Sequence, residues 1–548
     1  MKIAILSNVT VDLLAGMLAK SAEVYLAAGF DTWQQEMIMP TSGLCESRPD
    51  SVAVLLHANA YADAWRAKGD GESIIDGWLE AIGSFSRRFP TTPVFVSSID
   101  VCNLKCRYGS ETRLDEYFEN YLVERIEETR AKGYNVYLLP VKDVVAELGR
   151  RNFYSAKMWY YGAMPYSMKA LAALNELIVR YANAAKGAKK KCLALDLDNT
   201  LWGGVVGEDG ADALIFADVK EGARYKDAQR LIKKMKEQGV LLAILSKNNP
   251  EDVEQAFNRP DMVLKRDDFV AEAINWEPKC ENVKRMAKTL NLGLDSFVFL
   301  DDNPAEREQM KAECPEVATV DFPTDTSALP ETIAKIYDDY FFALDVTSED
   351  VQKTAMYRAE KQRKVERESA VSVESFLQRL EMTMEVHLMK EDELKRVTQL
   401  VNKTNQFNVT TQRYGEEEIQ RLGASDRSDV VVVHMADKYG DQGLVAVIIL
   451  RYDEKNATID SFLMSCRVMG REAEIEIMAT VKKFLQKKGI ALLRAIYRKT
   501  AKNAPVAELF EKFGFELTES SDTEKRYRIN VDALPNKTNV FKEVVVQL

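Results

Sequence analysis

The residues best placed to do chemistry lie in the segment LALDLDNTLWGGVVGEDG, where Asp196 closes an apolar run and Asp198 follows two residues later. Two carboxylates this close repel unless a cation or a proton intervenes. Magnesium is the natural cation, because it takes hard oxygen ligands and substrate phosphate together. It also lowers the penalty for a carboxylate approaching an anionic phosphoryl group. Three later segments offer complementary groups. Ser246 ends the run VLLAILS just before Asn249-Pro250, Lys279 stands before a helical stretch in WEPKCENVKRMAKTLNLG, and Asp301-Asp302 end SFVFLDD before Asn303-Pro304. Asn-Pro after an apolar run predicts a strand running into a capped helix, a turn that presents backbone N–H groups to phosphate oxygens. Each residue alone is an ordinary cap or solvated charge. Asp196 and Asp198 are candidate Mg2+ ligands, Asp301 and Asp302 can complete the coordination, Ser246 offers a hydroxyl to a phosphate oxygen and Lys279 a positive charge, and Thr200 of DLDNT is a further phosphate-binding candidate.

The elements that must position these groups follow from the apolar pattern. Residues 1–185 alternate short apolar runs (KIAILS, SVAVLLHANA, TPVFVSSI, YNVYLLPV) with amphipathic stretches, which predicts a parallel sheet covered by helices. The small and basic stretch YANAAKGAKKK at 181–191 predicts a junction. A second α/β unit over 188–345 contains CLALDLD, VLLAILS and SFVFLDD, and ligands in such sheets bind at the carboxyl ends of the strands. Residues 346–380, including VQKTAMYRAEKQRKVERESA, are charged with sparse apolar positions and predict an exposed linking helix. From 381 to 548, DVVVVHMAD, GLVAVIILRYD and NATIDSFLMS predict antiparallel strands. The helix REAEIEIMATVKKFLQKKG, the strand LLRAIYRK and the short helix VAELFEKFGF follow, an α+β pattern.

The chain of 548 residues is too long for one core, which agrees with several domains. With 85 acidic against 74 basic residues and a net charge of −11, a nucleic-acid partner is disfavoured. No run reaches the roughly 18 apolar residues of a membrane span, and MKIAILSNVTVDLL reads as a first strand, not a leader. Seven cysteines without metal-ligand spacing predict a reducing cytoplasm, and only three histidines are available for imidazole chemistry.

The segment DLDNT, Ser246, Lys279 and Asp301-Asp302 resemble the four signature motifs of the haloacid dehalogenase superfamily. The resemblance implies that Asp196 is the nucleophile and Asp198 the general acid and base, that Ser246 and Lys279 hold the phosphoryl group, and that Asp302 is the preferred metal ligand supported by Asp301. The longer string LDLDNTLWGGVVGEDG with FLDDNPAERE resembles the FkbH-like branch over essentially the whole chain. This implies an SGNH-like first domain, a phosphatase domain and a GNAT-like acyltransferase domain. It also implies that a glyceryl unit passes from 1,3-bisphosphoglycerate to an acyl carrier protein with dephosphorylation.

The acyl acceptor would be Cys466 in SFLMSCRVMGREAE, beside Arg467 and Arg471. From the residues alone this thiol is equally a small inert core group. Glu472 stands where an acetyltransferase pyrophosphate loop carries Gly or Ala, which argues against coenzyme A. Asn402, Asn405, Gln406, Asn408, Asp437 and Asp441 resemble the same domain and either line its pocket or shape loops. In the first domain, Ser7-Asn8 and Asn59 resemble SGNH hydrolases, but no histidine lies between His57 and His387, so an inactive or docking domain is expected, or equally a plain doubly wound sheet in which Ser7 caps a helix. Two other functions fit the sequence: a phosphatase fused to a coenzyme A-dependent N-acyltransferase, and a non-catalytic scaffold for a carrier protein.

Overall fold

A computed structural model describes the chain outside residues 59–67, 101–111, 188, 347 and 501. It divides into two compact units, Met1–Thr354 and Ala355–Leu548. Among the described residues no helix is long and apolar enough to cross a membrane.

The first unit holds two parallel sheets. One is built from β1 (Lys2–Ser7), β2 (Glu23–Leu26), β3 (Ser51–Leu55), β4 (Val94–Ser97) and β5 (Val136–Leu139), in the order β2-β1-β3-β4-β5. Strands buried on both faces read as continuous apolar runs, as SVAVL and VFVS do. Successive side chains alternate between the faces. Ala4, Leu6, Val52 and Val54 pack with Trp33 and Trp78, while Ile3, Ile5, Ala53 and Leu55 pack with Leu171, Leu174 and Ile178 of the helix Met168–Ala185. The edge strand β2 is the one strand that the apolar runs do not predict, because its four residues EVYL are only half-buried.

The other sheet comprises β6 (Cys192–Leu195), β7 (Leu241–Ser246), β8 (Phe269–Ile274), β9 (Phe297–Leu300) and β10 (Ala318–Thr319), in the order β10-β9-β6-β7-β8. Here β8 and β10, the two edge strands, go beyond the three predicted runs. The order reverses at β6, which lies between β7 and β9, so connections leave these strand ends towards opposite faces and open a crevice. The two sheets are tied together within the unit. Arg180 pairs with Asp338 at 2.8 Å, Tyr137 donates to Asp345 at 2.9 Å, and the rings of Tyr181 and Phe342 lie 4.9 Å apart.

The second unit carries an eight-stranded mixed sheet. Its strands are β11 (Met382–Leu388), β12 (Ser428–Asp437), β13 (Gly440–Asp453), β14 (Asn456–Met464), β15 (Leu492–Arg498), β16 (Glu516–Ser520), β17 (Glu524–Asn530) and β18 (Phe541–Gln547). The order is β16-β17-β15-β14-β13-β12-β11-β18, with β14–β15 and β11–β18 the parallel pairs. The charged helix Ser348–Ser369, expected as an exposed linker, is anchored here: the buried Arg363 reaches Asp437 through Nε at 2.6 Å and Nη2 at 2.8 Å. An ion pair substitutes for the apolar stripe that the helix lacks, which hydropathy alone does not reveal.

The strands β14 and β15 pair only over Asn456–Ile459 and Leu492–Ala495. Beyond that point the segment Phe407–Val409 enters between them. Val409 N donates to Phe462 O at 3.1 Å, Met464 N to Phe407 O at 3.0 Å, and Arg498 N to Val409 O at 2.8 Å.

Candidate active site

Asp196 is the first residue after β6, and its backbone N–H still donates to Leu300 O of β9 at 3.0 Å. Asp301 is the first residue after β9. The two carboxylates therefore emerge side by side at the strand reversal. Lys279 opens the helix Lys279–Leu290 and is almost wholly buried, with its Nζ 2.8 Å from Asp196 Oδ1 and 2.5 Å from Asp301 Oδ2. The turn after β9 is locked from below. Asp301 Oδ1 accepts from Asn303 N at 2.9 Å, Asn303 caps the helix Pro304–Glu313, and Arg307 Nη1 donates to the carbonyls of Asp301 and Asp302 at 2.8 and 2.7 Å.

The carboxylates of Asp196, Asp301 and Asp302 offer oxygens that all lie within 4.8 Å of one another. One ammonium does not balance the buried carboxylates of Asp196 and Asp301 and the half-buried one of Asp302. Burial pushes the Asp196 carboxyl up to about 6, against the pull of Lys279 and with the push of Asp301. Burial, then Asp196, likewise push Asp302 up to about 6. Burial disfavours the Lys279 charge, but Asp196 and Asp301 outweigh it and hold the ammonium above its ordinary range. An all-oxygen site deficient in positive charge fits a hard dication such as Mg2+, and the residues that would hold it are Asp196, Asp301 and Asp302.

Asp198 stands outside this group. Its Oδ1 accepts from Trp202 Nε1 at 2.9 Å and from Val206 N at 3.1 Å, and its Oδ2 accepts from Asn248 Nδ2 at 2.9 Å. These donors turn the carboxylate away from the three-carboxylate cluster to which the sequence assigned it. They hold it beside Asn248, which also donates to Ser246 Oγ at 3.1 Å. Ser246 is buried at the end of β7, and its hydroxyl supports the charge on Asp196. Thr200 is buried, and its Oγ1 has no hydrogen-bond partner. A buried hydroxyl left unpaired is uncommon and marks a place where a ligand atom can be received.

Trp202 and Asn248, which hold Asp198, are not singled out by the sequence. Asn248 sits in the same loop as Ser246, but the neighbouring Asn249-Pro250 carried the helix-start signal. Asn249 makes no side-chain cap bond and instead accepts from Trp276 Nε1 at 3.1 Å. The turn after Asp198 also needs Asn199, whose left-handed φ of 53° lets its Oδ1 accept from Gly204 N at 3.0 Å.

No family model matches the chain, and no curated protein matches it. Among solved structures, the N-terminal part of BF1531 from Bacteroides fragilis, which contains a phosphatase domain and was crystallised with Mg, matches at 25% identity. The match covers 63% of this chain and 94% of that one, with a TM-score of 0.57. The chain shares the fold of that phosphatase-containing part over the matched length. The ribosomal-protein-S18-alanine N-acetyltransferase of Escherichia coli matches 27% of this chain and 94% of its own at 14% identity, with a TM-score of 0.22. The spermidine N-acetyltransferase of Vibrio cholerae also covers 27% of this chain, at 13% identity and a TM-score of 0.22.

The other sequence candidates are distributed differently. The backbone of Cys466 begins a short turn, Cys466–Val468, and its side chain lies outside the described residues. Arg471 is engaged with Asp437 at 3.1 Å and with Arg467 O at 2.8 Å, while Arg467 Nε donates to Ser465 Oγ at 3.1 Å. Glu472 adopts a left-handed φ of 60° at the start of the helix Ala473–Lys487. Asn402 bonds Tyr414 O, and Asn408 bonds Thr404 O while accepting from Thr411 N at 2.8 Å. Asn405 accepts from Arg413. These asparagines shape the loop that leads into and out of the inserted segment. Asp437 is the buried hub for Arg363 and Arg471, and Asp441 caps a turn by accepting from Gly443 N at 2.7 Å.

In the first sheet the Ser7 hydroxyl donates to Leu55 O at 2.7 Å and accepts from Val9 N at 3.2 Å. Asn8 and His57 exchange two bonds: Asn8 Nδ2 donates to His57 O at 3.1 Å and Asn8 Oδ1 accepts from His57 N at 2.8 Å. Asn59 lies outside the described residues.

Proposed function

We propose that the chain is a Mg2+-dependent phosphoryl-transfer enzyme of the haloacid dehalogenase type that acts on a phosphorylated small molecule. The observation carrying this reading is the convergence of Asp196, Asp301, Asp302 and Lys279 at the reversal of a doubly wound sheet. The Mg2+ seen with the phosphatase domain of BF1531 supports the same cation here. Bound Mg2+ neutralises charge between the carboxylates and the phosphoryl oxygens.

An oxygen of Asp196 forms the bond to phosphorus as the bond to the leaving oxygen breaks, and Asp198 delivers a proton to that oxygen. Water then adds at phosphorus, gives its proton to Asp198, and releases phosphate and free Asp196. Trp202 and Asn248 keep Asp198 aimed throughout. Lys279, Ser246 and Thr200 stabilise the charge spread over the transferring group.

For the substrate, the resemblance of the chain to FkbH-like proteins supports a phosphorylated three-carbon acyl donor such as 1,3-bisphosphoglycerate. In this reading the Cys466 thiolate attacks the acyl carbon and displaces phosphate, Asp196 removes the remaining phosphate, and a carrier-protein thiol takes the acyl group by thioester exchange. Intact-mass measurement with 1,3-bisphosphoglycerate, Mg2+ and an acyl carrier protein tests both parts. The expected result is a glyceryl adduct lost in Cys466→Ala, together with phosphate release from phosphomonoesters that falls on the order of 10⁴-fold in Asp196→Asn. Phosphate release without an adduct leaves a phosphatase alone. Release unchanged in Asp196→Asn overturns the nucleophile.

A further inference from the structure

Two of the three histidines in the chain face each other in the second unit. His387 lies on β11 and His434 on the adjacent antiparallel β12, both on the sheet face opposite Val386 and Val433. Their rings stack at 5.5 Å with 17° between planes. Glu393 enters from the turn Glu391–Glu393, held by Lys390 N, which donates to Oε2 at 2.8 Å. The Nε2 atoms of both rings lie 2.9 Å from the same oxygen, Glu393 Oε1.

From this arrangement we infer that His387, Glu393 and His434 form a binding site for a transition-metal dication of the Zn2+ class. Three arguments converge on it. The first is spacing: all three ligand atoms lie within 4.8 Å of one another, and their nearest contacts of 2.9 Å approach the edge of roughly 3.3 Å that a tetrahedron with bonds of about 2.0 Å requires.

The second argument concerns the proton on His387. Without a cation, a neutral His387 must carry its proton on Nε2 to donate to Glu393. That leaves Nδ1 as a bare acceptor, and this buried atom has no hydrogen-bond partner and faces Glu385 Oε1 at 3.5 Å. A lone pair opposite a carboxylate is unfavourable. With a dication on Nε2 the proton moves to Nδ1 and points at Glu385, the carboxylate–histidine–metal relay that orients metal-bound imidazoles.

The third is ligand chemistry. Two imidazoles and one carboxylate suit Zn2+, Co2+ or Fe2+ and are poor ligands for Mg2+, so this site and the aspartate cluster select different ions. His387 is sealed within the fold, whereas the His434 side chain is one-third exposed, so water or a small ligand completes the coordination from that side. The cation would fasten the Glu391–Glu393 turn to the ladder of β11 and β12.

The full-length protein, stripped with chelator and dialysed against Co2+ in excess Mg2+, tests the site independently of the phosphoryl-transfer reading. The expected result is one bound Co2+ with visible d–d absorption, displaced by Zn2+. Affinity should fall at least about tenfold in His434→Ala and in Glu393→Gln, and stay unchanged in Asp302→Asn. Circular dichroism of the metal-free variants separates loss of the site from loss of the fold, and the His434 side chain is one-third exposed. Absence of bound Co2+ and Zn2+ in the parent protein, or binding that survives both ligand substitutions, overturns the proposal in favour of a histidine pair bridged by carboxylate alone.

Discussion

The first unit contains two doubly wound sheets, and each has a strand reversal where such folds open a crevice. In the second sheet the residues leaving β6 and β9 are Asp196, Asp301 and Asp302, and their charges converge around one buried lysine. In the first sheet the corresponding residues leave β1 and β3. There Ser7 bonds the backbone of Leu55, and Asn8 and His57 pair through side chain and main chain. His57 is packed against Trp159 and Tyr154, with ring centroids at 5.1 and 5.5 Å. Among the described residues, the same architecture thus holds unbalanced carboxylates at one reversal, and at the other the neutral bonds of Ser7, Asn8 and His57 beside a buried Asp100 paired with Arg150.

Four experiments sharpen this contrast. The largest stability effect is expected from Lys279→Met, which removes the ammonium that lies between Asp196 and Asp301. Breaking a buried pair in this way costs about 3–5 kcal/mol, and denaturant unfolding with and without Mg2+ measures it. Added Mg2+ should recover more stability in the variant than in the parent, whereas equal recovery in both would separate the metal from these carboxylates.

The first sheet should respond to pH through His57. Burial holds its ring pKa down at about 4, with Asp100 opposing the shift, against an ordinary value of 6.5. The unfolded chain therefore takes up a proton below about 6.5 while the native ring stays neutral until about 4. The contribution is fully present above that window and is lost as pH falls through it, by roughly 3 kcal/mol. The difference in stability between pH 7 and pH 4.5 should shrink in His57→Phe; an unchanged difference would assign the acid sensitivity elsewhere.

Asn8→Ala strands the buried N–H and carbonyl of His57 and should cost about 2 kcal/mol by thermal or chemical unfolding. Its kcat for phosphate release should match the parent, and a large loss of kcat would show that the first reversal takes part in catalysis. Asn248→Ala is the mildest case, since Trp202 still holds Asp198. A fall in kcat of about tenfold with little change in KM is expected, and a change confined to KM would make Asn248 a substrate contact instead.

Much of the candidate site was legible without coordinates because several of its residues end apolar runs that identify themselves as buried parallel strands. Ser246 closes LLAILS and Asp301 follows FVFL, all of these strand residues being buried. The edge strands β2 and β10 were not legible. EVYL is half-buried, and β10 has two residues, so neither presents a long apolar run. The anchoring of the helix Ser348–Ser369 escaped notice for a related reason: its key contact is a buried arginine, which hydropathy scores as solvent-facing.

By itself the amino-acid sequence determined which residues stand at strand ends, because burial of a parallel sheet demands apolar runs and their limits are visible. It therefore determined that Asp196, Ser246 and Asp301 stand at strand ends and that Lys279 stands at a helix start. Only the tertiary structure decided which of them meet. Strand order places β9 beside β6, three hydrogen-bond donors turn Asp198 aside while Asp302 joins the cluster, and antiparallel pairing brings His387 to His434. These outcomes depend on contacts between residues distant in the chain, and no local pattern of residue types encodes them.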